Sequence, residues 1–267
     1  MSMLKKSFRK LLRTFKHFIR FWVSPVLPII NFSQVWKGYK KYITDWNNYS
    51  KLIKPYSIEF EDSLPKIFDS TYQSTFDSHY FYQAIWAFEN IKYSSPTLHL
   101  DIGSDIKFVG LLSTIYPVIF LDYRPIKTSN TPGLRNLCGD ILALPFANNS
   151  ISSITCLHVI EHIGLGRYGE PLKNDGSIRA FHEISRIVKP GGFFYLSIPI
   201  GRERLQYNAH RILAPETVIN VLDEFKLIEF SVITDTQEYR KGEMYQNYQN
   251  SSYACGLFVF QKDSRTV

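Results

Sequence analysis

His158, Glu161 and His162 stand within five residues of one another, directly after the apolar run Ile151–Leu157 and just before Gly164, Gly166 and Gly169. Two imidazoles and a carboxylate can move a proton near neutral pH, or hold a divalent cation. If the segment is helical, positions 158, 161 and 162 share a face, because residues three and four apart are neighbours. The order H-x-x-E-H also occurs in inverted zinc peptidases, so a metal-dependent hydrolase is one reading. Acidic groups of a second kind recur at the ends of short apolar runs: Asp101 in LHLDIGS, Asp122 in VIFLDYRP, and Asp140 before ILALPF. Gly103, lacking a Cβ, lets the backbone of an Asp-x-Gly turn approach a ligand closely. A carboxylate such as Asp122 offers two acceptors to a diol, and Asp140 suits an amino donor. Three such groups at successive strand ends point to a nucleoside-type ligand.

These side chains need a scaffold, and the pattern from residue 97 onward supplies one. Strands are expected over 98–104, 118–125, 151–157, 193–199, 227–235 and 253–261, with a further strand end at 139–141. Helices are expected over 106–115, 177–188 and 215–225, and Lys189-Pro190-Gly191-Gly192 reads as the turn that ends one of them. Alternating strands and helices mean a mainly parallel sheet with helices on both faces. The last two strands, with no helix between them, suggest an antiparallel hairpin at one edge. A ligand then binds outside the carboxyl ends of the strands, where His158 and the three Asp residues fall.

Upstream, residues 31–95 are aromatic-rich and are expected to form helices and loops that cap the main domain. Within them Phe76–Ile91 reads as a helix with Phe81, Ile85 and Phe88 toward the core, and with His79, Tyr80 and Tyr82 toward a pocket. Residues 3–22 place Leu4, Phe8, Leu11, Leu12, Phe15, Phe18, Ile19 and Trp22 at helical spacing among seven Lys and Arg. This basic amphipathic pattern is too charged to span a bilayer and suits an anionic membrane surface. Residues 1–54 carry +11 and the remainder −4, within an overall +7. The basic balance therefore belongs to the N-terminus, and a nucleic-acid enzyme, which spreads positive charge around its cleft, is not expected. Cys138, Cys156 and Cys255, three in number and set among apolar residues, read as reduced core thiols. The expected organisation is 1–30 amphipathic helix, 31–95 cap and 96–267 α/β domain. The expected location is cytoplasmic, at the inner face of a membrane.

The segments LDIGS, FLDYRP, GDILALPF, HVIEHIG and RIVKPGGFFYLSIP together resemble a class I S-adenosylmethionine-dependent methyltransferase from about Leu98 onward. FDSHYFYQAIWAF, EHIGLGRYGEPL and NAHRI resemble more narrowly domain of unknown function 268, whose members are often associated with polysaccharide gene clusters. The resemblance implies a Rossmann-like sheet and S-adenosylmethionine held by Asp101, Gly103, Ser104, Asp122, Tyr123, Asp140, Ile141 and His158. It implies O-methylation of a sugar in a surface glycan or lipid-linked precursor. His210 would be the general base and Arg211 a substrate clamp, with His158 and Glu161 alternatives for the chemistry. His79, Tyr82, Arg167 and Tyr168 would contact the acceptor. Some quinone-ring O-methyltransferases resemble the HVIEHIG segment and bind a divalent metal, which implies a site on His158, Glu161 and His162. The family usually continues Asp-x-Gly with two more glycines. Here those places hold Asp105 and Lys107, so either Ser104-Asp105 makes a different turn, or these side chains crowd the cofactor's methionine end and mark weak binding or a repurposed, non-catalytic scaffold.

Overall fold

The computed structural model describes residues 32–52, 63–70, 76–124 and 126–264, together with Phe15, Glu59, Tyr72 and Ser74. The amphipathic pattern of residues 3–22 lies, apart from Phe15, outside the described residues. The chain divides into two compact units, residues 1–75 and 76–267. In the first, helix α1 (Phe32–Leu52) has no buried residue and carries a Lys41–Asp45 ion pair one turn apart. No helix among the described residues is long and apolar enough to cross a membrane.

The second unit opens with helix α2 (Ser78–Ser94), capped by Asp77, whose carboxylate accepts from the His79 and Tyr80 amides. Then follow strand β1 (His99–Ile102), helix α3 (Ile106–Leu112), and strands β2 (Val118–Asp122), β3 (Leu134–Cys138) and β4 (Ile151–Leu157). Helix α4 (Gly176–Ile187) leads directly into β5 (Val188–Ile200). A small hairpin, β6 (Arg204–Gln206) and β7 (His210–Ile212), precedes helix α5 (Pro215–Val221). Strands β8 (Phe225–Ile233), β9 (Tyr239–Arg240) and β10 (Ala254–Lys262) close the chain.

The main sheet runs β3-β2-β1-β4-β5-β10-β8-β9. Strands β3 to β5 are parallel, and antiparallel pairing is confined to one edge, where β10 inserts between β5 and β8. The insertion brings the start of β10 beside the carboxyl end of β5, with Cys255 opposite Pro199. Both faces of the sheet are covered. Leu100, Ile154, Leu196 and Phe258 pack with Phe181 and Ile184 of α4 on one side. Val118, Tyr195, Cys255 and Leu257 pack with Trp86 and Ile91 of α2 and Val109 of α3 on the other. Strands buried on both faces read as continuous apolar runs, which is why they were visible in the sequence.

Three details depart from the sequence reading. The compact body begins at residue 76 rather than 96, because α2 buries Gln83, Trp86, Ala87 and Ile91 against the sheet. Its inward face is therefore not Phe81 and Ile85, which are exposed. Lys189–Gly192 lies inside β5 instead of forming a free turn. Pro190 excludes helix at Lys189, and Gly191, at φ +76°, sits where the pairing with β4 shifts register. Cys138 is exposed on the outermost parallel strand, whereas Cys156 and Cys255 are buried, and all three are free.

Candidate functional site

Two hollows open at the carboxyl ends of the parallel strands, and His158 and His162 line both. The first is walled by Ile102 and Gly103 after β1, Asp122, Tyr123 and Arg124 after β2, and Asp140 and Ile141 after β3. Gly103 holds φ +67°, and a Cβ there would press on the Val159 methyls at 3.2 Å, so glycine is required both for the turn and for the space. Asp122 Oδ1 accepts from the Arg124 amide at 2.7 Å, while Oδ2 has no partner among the described residues and remains available to a ligand. Asp140 similarly accepts from the Leu142 amide at 2.9 Å through one oxygen.

Asp101 and Ser104 were expected to touch the cofactor, and the structure gives them a different place. Both are buried and neither lines the hollow. Asp101 accepts from the Ser104 amide at 3.0 Å and from Thr155 Oγ1 at 2.5 Å, and Ser104 Oγ accepts from the Leu157 amide at 3.2 Å. They lock the β1 turn onto β4, and burial raises the Asp101 carboxyl to about 6 despite these hydrogen bonds. Asp105 and Lys107 do not crowd the hollow either. Asp105 is the N-cap of α3, accepting from the Lys107 and Phe108 amides at 2.9 and 3.3 Å. A helix cap has taken the place of further glycines, and neither residue is in the wall.

The second hollow is polar and aromatic. His79 and Tyr80 from the start of α2, His158 and Glu161 after β4, Arg167, His210 from β7, Asp235 after β8 and Tyr253 just before β10 line it. The rings form a column: Tyr80 on His158 at 5.8 Å, His158 on His79 at 5.5 Å, and His79 on Tyr253 at 5.4 Å. His158 adopts φ +56°, a left-handed conformation that a non-glycine residue adopts at a cost of about 1–3 kcal/mol and that clusters at functional sites. That backbone turns its ring across the strand end, between the two hollows. Its Nδ1 pairs with Glu161 Oε1 at 2.7 Å. Its Nε2, buried, has no hydrogen-bond partner, and neither has Glu161 Oε2. Burial works against charge on His158, but the adjoining Cys255 and Glu161 outweigh it and raise its pKa. Glu161 is likewise opposed by burial and held low by His158. Burial, aided by His158, pushes His79 down to about 4.

His210 sits in this hollow at the end of the β6–β7 hairpin. Its Nε2 pairs with Gln206 Oε1 at 2.6 Å, which makes Nε2 the donor and leaves Nδ1 an acceptor. Burial lowers its pKa, so the neutral base is favoured. Arg211, expected beside it as a clamp, points elsewhere. Its guanidinium donates to the Ile163 carbonyl at 2.7 Å, Ser177 Oγ at 3.1 Å and the Lys173 carbonyl at 3.3 Å, tying the hairpin to the Gly164–Lys173 loop. Tyr82, expected at the acceptor, instead stacks on Tyr239 at 5.3 Å and packs beneath the sheet. Tyr168 belongs to the first hollow, under the Arg124 guanidinium at 4.3 Å, whereas Arg167 lines the second.

The proposed metal set of His158, Glu161 and His162 is not assembled. The segment Ile160–His162 is a single 3-10 turn, in which Glu161 contacts His158 directly. His162 Nδ1 is committed to the Ala209 carbonyl at 2.6 Å, and its Nε2 lies 3.8 Å from the same Glu161 oxygen that His158 holds. The histidines bracket one carboxylate instead of facing one ion. Cys255 reads from the sequence only as a core thiol, and Tyr253 only as the start of a strand. They lie almost a hundred residues after His158, and only the insertion of β10 beside β5 brings them to it.

Residues 143–262 match the model of a family described as Caenorhabditis protein of unknown function, DUF268. No curated protein matches the sequence. A solved protein provisionally assigned as a sarcosine dimethylglycine methyltransferase, from Galdieria sulphuraria, is similar at TM-score 0.51 and 11% identity, over 69% of this chain and 86% of that one. The 1,6-didemethyltoxoflavin-N1-methyltransferase of Burkholderia thailandensis, solved with S-adenosylhomocysteine, is similar at TM-score 0.49 and 12% identity, over 68% and 78%. The strand order and the likeness to the Galdieria protein identify the body as a Rossmann-like class I methyltransferase fold.

Proposed function

We propose that the protein is an S-adenosylmethionine-dependent O-methyltransferase acting on a sugar of a surface glycan or lipid-linked precursor. The observation that carries the reading is the first hollow. A glycine turn at Gly103, an unpaired acceptor at Asp122 Oδ2 and a second carboxylate at Asp140 stand at three successive strand ends, in the order a nucleoside with a ribose diol and an amino group requires. Those residues fit S-adenosylmethionine, whose sulfonium would supply the methyl group. Asp122 would orient the ribose hydroxyls, Asp140 the adenine amino group, and Tyr123 and Ile141 the faces of the rings.

The second hollow supports the acceptor. Tyr80 and Tyr253 offer flat surfaces to a sugar ring, Asp235 and Arg167 offer hydrogen bonds to hydroxyls or acidic groups, and His210 Nδ1 is free to accept the hydroxyl proton. Since His158 borders both hollows, the donor and acceptor would meet at its ring. Residues 3–22 would hold the enzyme at an anionic membrane surface, where lipid-linked saccharides reside.

Calorimetric titration with S-adenosylhomocysteine tests the cofactor, and radiolabelled methyl transfer to lipid-linked saccharides tests the acceptor. Saturable binding with transfer to a saccharide hydroxyl is expected. Absence of binding by folded protein would leave a scaffold and refute the enzyme reading, whereas binding with transfer only to nitrogen would refute the acceptor class.

A further inference from the structure

We infer that His79, His158 and Cys255 form a binding site for a zinc-class divalent metal ion, oriented by Glu161, whose open position faces the second hollow. One ligand atom from each of the three residues lies within 4.8 Å of the others. The set, two imidazoles and a thiolate, is the borderline-soft donor combination that suits zinc.

Two independent features point to a ligand there. The first is the buried His158 Nε2, which makes no hydrogen bond of normal geometry although the Cys255 thiol adjoins the ring. The side chain of His158 is only 6% exposed, so the nitrogen is shielded from solvent as well. A buried ring nitrogen without a partner is costly, and a metal ion is a natural one. The second is Glu161 on the opposite ring nitrogen at 2.7 Å. A carboxylate on the far nitrogen fixes the tautomer and the ring plane of a metal-ligating histidine, leaving Nε2 for the ion. Glu161 is itself fully buried on a 3-10 turn, so this orientation is built into the fold.

The three ligands come from three elements that converge at the carboxyl end of β5, the strand between β4 and β10. His158 follows β4, Cys255 begins β10, and His79 stands in the first turn of α2. A tetrahedral zinc ion, with bonds of about 2.0 Å to nitrogen and about 2.3 Å to sulfur, needs ligand atoms roughly 3.3–3.8 Å apart. His79 now stacks nearly parallel to His158, at 18°. Its ring must turn about its own axis for the lone pairs to converge, and as a partly exposed residue on the rim of the hollow it has room to do so. Three protein ligands leave a fourth position for a water or a hydroxyl, the arrangement of a catalytic and not a structural zinc site. On the methyltransferase reading, that position would hold the acceptor hydroxyl and lower its pKa.

The full-length protein, reduced, treated with a chelator and freed of metal, is titrated with cobalt(II) and then zinc. One equivalent of cobalt should bind with the intense visible absorption of a tetrahedral site and a sulfur-to-cobalt charge-transfer band, and zinc should displace it. Cys255→Ala should abolish the charge-transfer band, and His79→Ala should weaken binding at least tenfold with an unchanged thermal transition. Glu161→Gln should weaken it by about 10–100-fold. If neither metal binds saturably, or if binding survives His79→Ala and Cys255→Ala in folded protein, the site is refuted. S-adenosylhomocysteine titration of the same samples reports separately on the methyltransferase reading, since the first hollow contains neither His79 nor Cys255.

Discussion

On the proposed reading, nucleoside recognition turns on Asp122, which lines the first hollow with one oxygen bound locally and the other without a partner among the described residues. Asp122→Ala should leave the sheet intact and weaken S-adenosylhomocysteine binding by about 1–3 kcal/mol, read by calorimetry. An unchanged dissociation constant would move the ribose elsewhere. On the proposed reading, His210 is the residue on which proton removal turns. With Nε2 donating to Gln206, its Nδ1 is the accepting atom. In single-turnover assays His210→Gln should slow methyl transfer by about 10²–10⁴-fold, with cofactor affinity preserved. Full turnover from His210→Gln would transfer the base to the His158–Glu161 pair. Residues of these two kinds were unequally legible in the sequence. Gly103, Asp122 and Asp140 announce themselves because each ends or closely follows its own strand, and the turn chemistry is local. Arg211 misleads for the opposite reason. An arginine beside a candidate base reads as a clamp until its carbonyl partners, thirty to fifty positions earlier, are known. Cys255 carried no local signal of a site, since a thiol in an apolar strand is ordinary, whereas His79 reads from the sequence as a pocket residue but with the acceptor, not Cys255, as its neighbour.

Strands β1 and β4 show what is gained and lost at the scale of elements. Their apolar pattern gave the sheet, yet between them runs a buried polar chain. His99 Nδ1 pairs with Ser153 Oγ and His99 Nε2 with Thr155 Oγ1, each at 2.8 Å, and Thr155 donates to Asp101. Nothing in the sequence marks His99, Ser153 and Thr155 as buried partners, or Asp101 as joined to them, because which face a strand residue takes, and what lies opposite it, depends on register. Helix α2 was misread similarly. Its aromatics lie on every side, so the inward face is set by the sheet it covers, where buried Gln83 accepts from Ser197 at 2.5 Å and Trp86 donates to Glu229 at 3.3 Å. The polar chain has a consequence for pH. Burial pushes His99 from 6.5 to about 3, so the folded protein keeps it neutral while the unfolded chain takes up a proton. The stability it contributes is complete above pH 6.5 and is lost as pH falls toward 3, at up to about 1.4 kcal/mol per pH unit. Asp101 acts in the opposite sense between about 6 and 3.8, since its raised carboxyl is protonated first in the folded state. Urea denaturation of His99→Gln, which does not titrate, should therefore lose less stability than the wild type between pH 7 and 4. Parallel curves would show that His99 titrates normally in the folded protein.

At the scale of the molecule, charge is segregated by position in the chain. Residues 1–54 carry +11 while the remainder carries −4. A mildly acidic body would be repelled by an anionic surface, so any attraction must come from the N-terminal segment. Residues 3–22 hold seven Lys and Arg beside an apolar stripe of leucine and aromatic side chains. Each basic residue near an anionic bilayer contributes on the order of 1 kcal/mol, enough together for reversible binding once the apolar stripe is buried as well. The attraction is screened over about 10 Å at 0.1 M salt. Full-length protein should therefore sediment with vesicles containing anionic lipid at low salt and be partly released at high salt, where only the apolar contribution persists. Deleting residues 1–22 should leave it in the supernatant under both conditions. The second compact unit, residues 76–267, does not include the deleted segment, so the truncated protein should keep the thermal transition and S-adenosylhomocysteine affinity of the full chain. If the full-length protein stays in the supernatant at low salt, the basic stripe meets a protein partner and the membrane assignment fails, while the methyltransferase reading of the body stands on its own measurement.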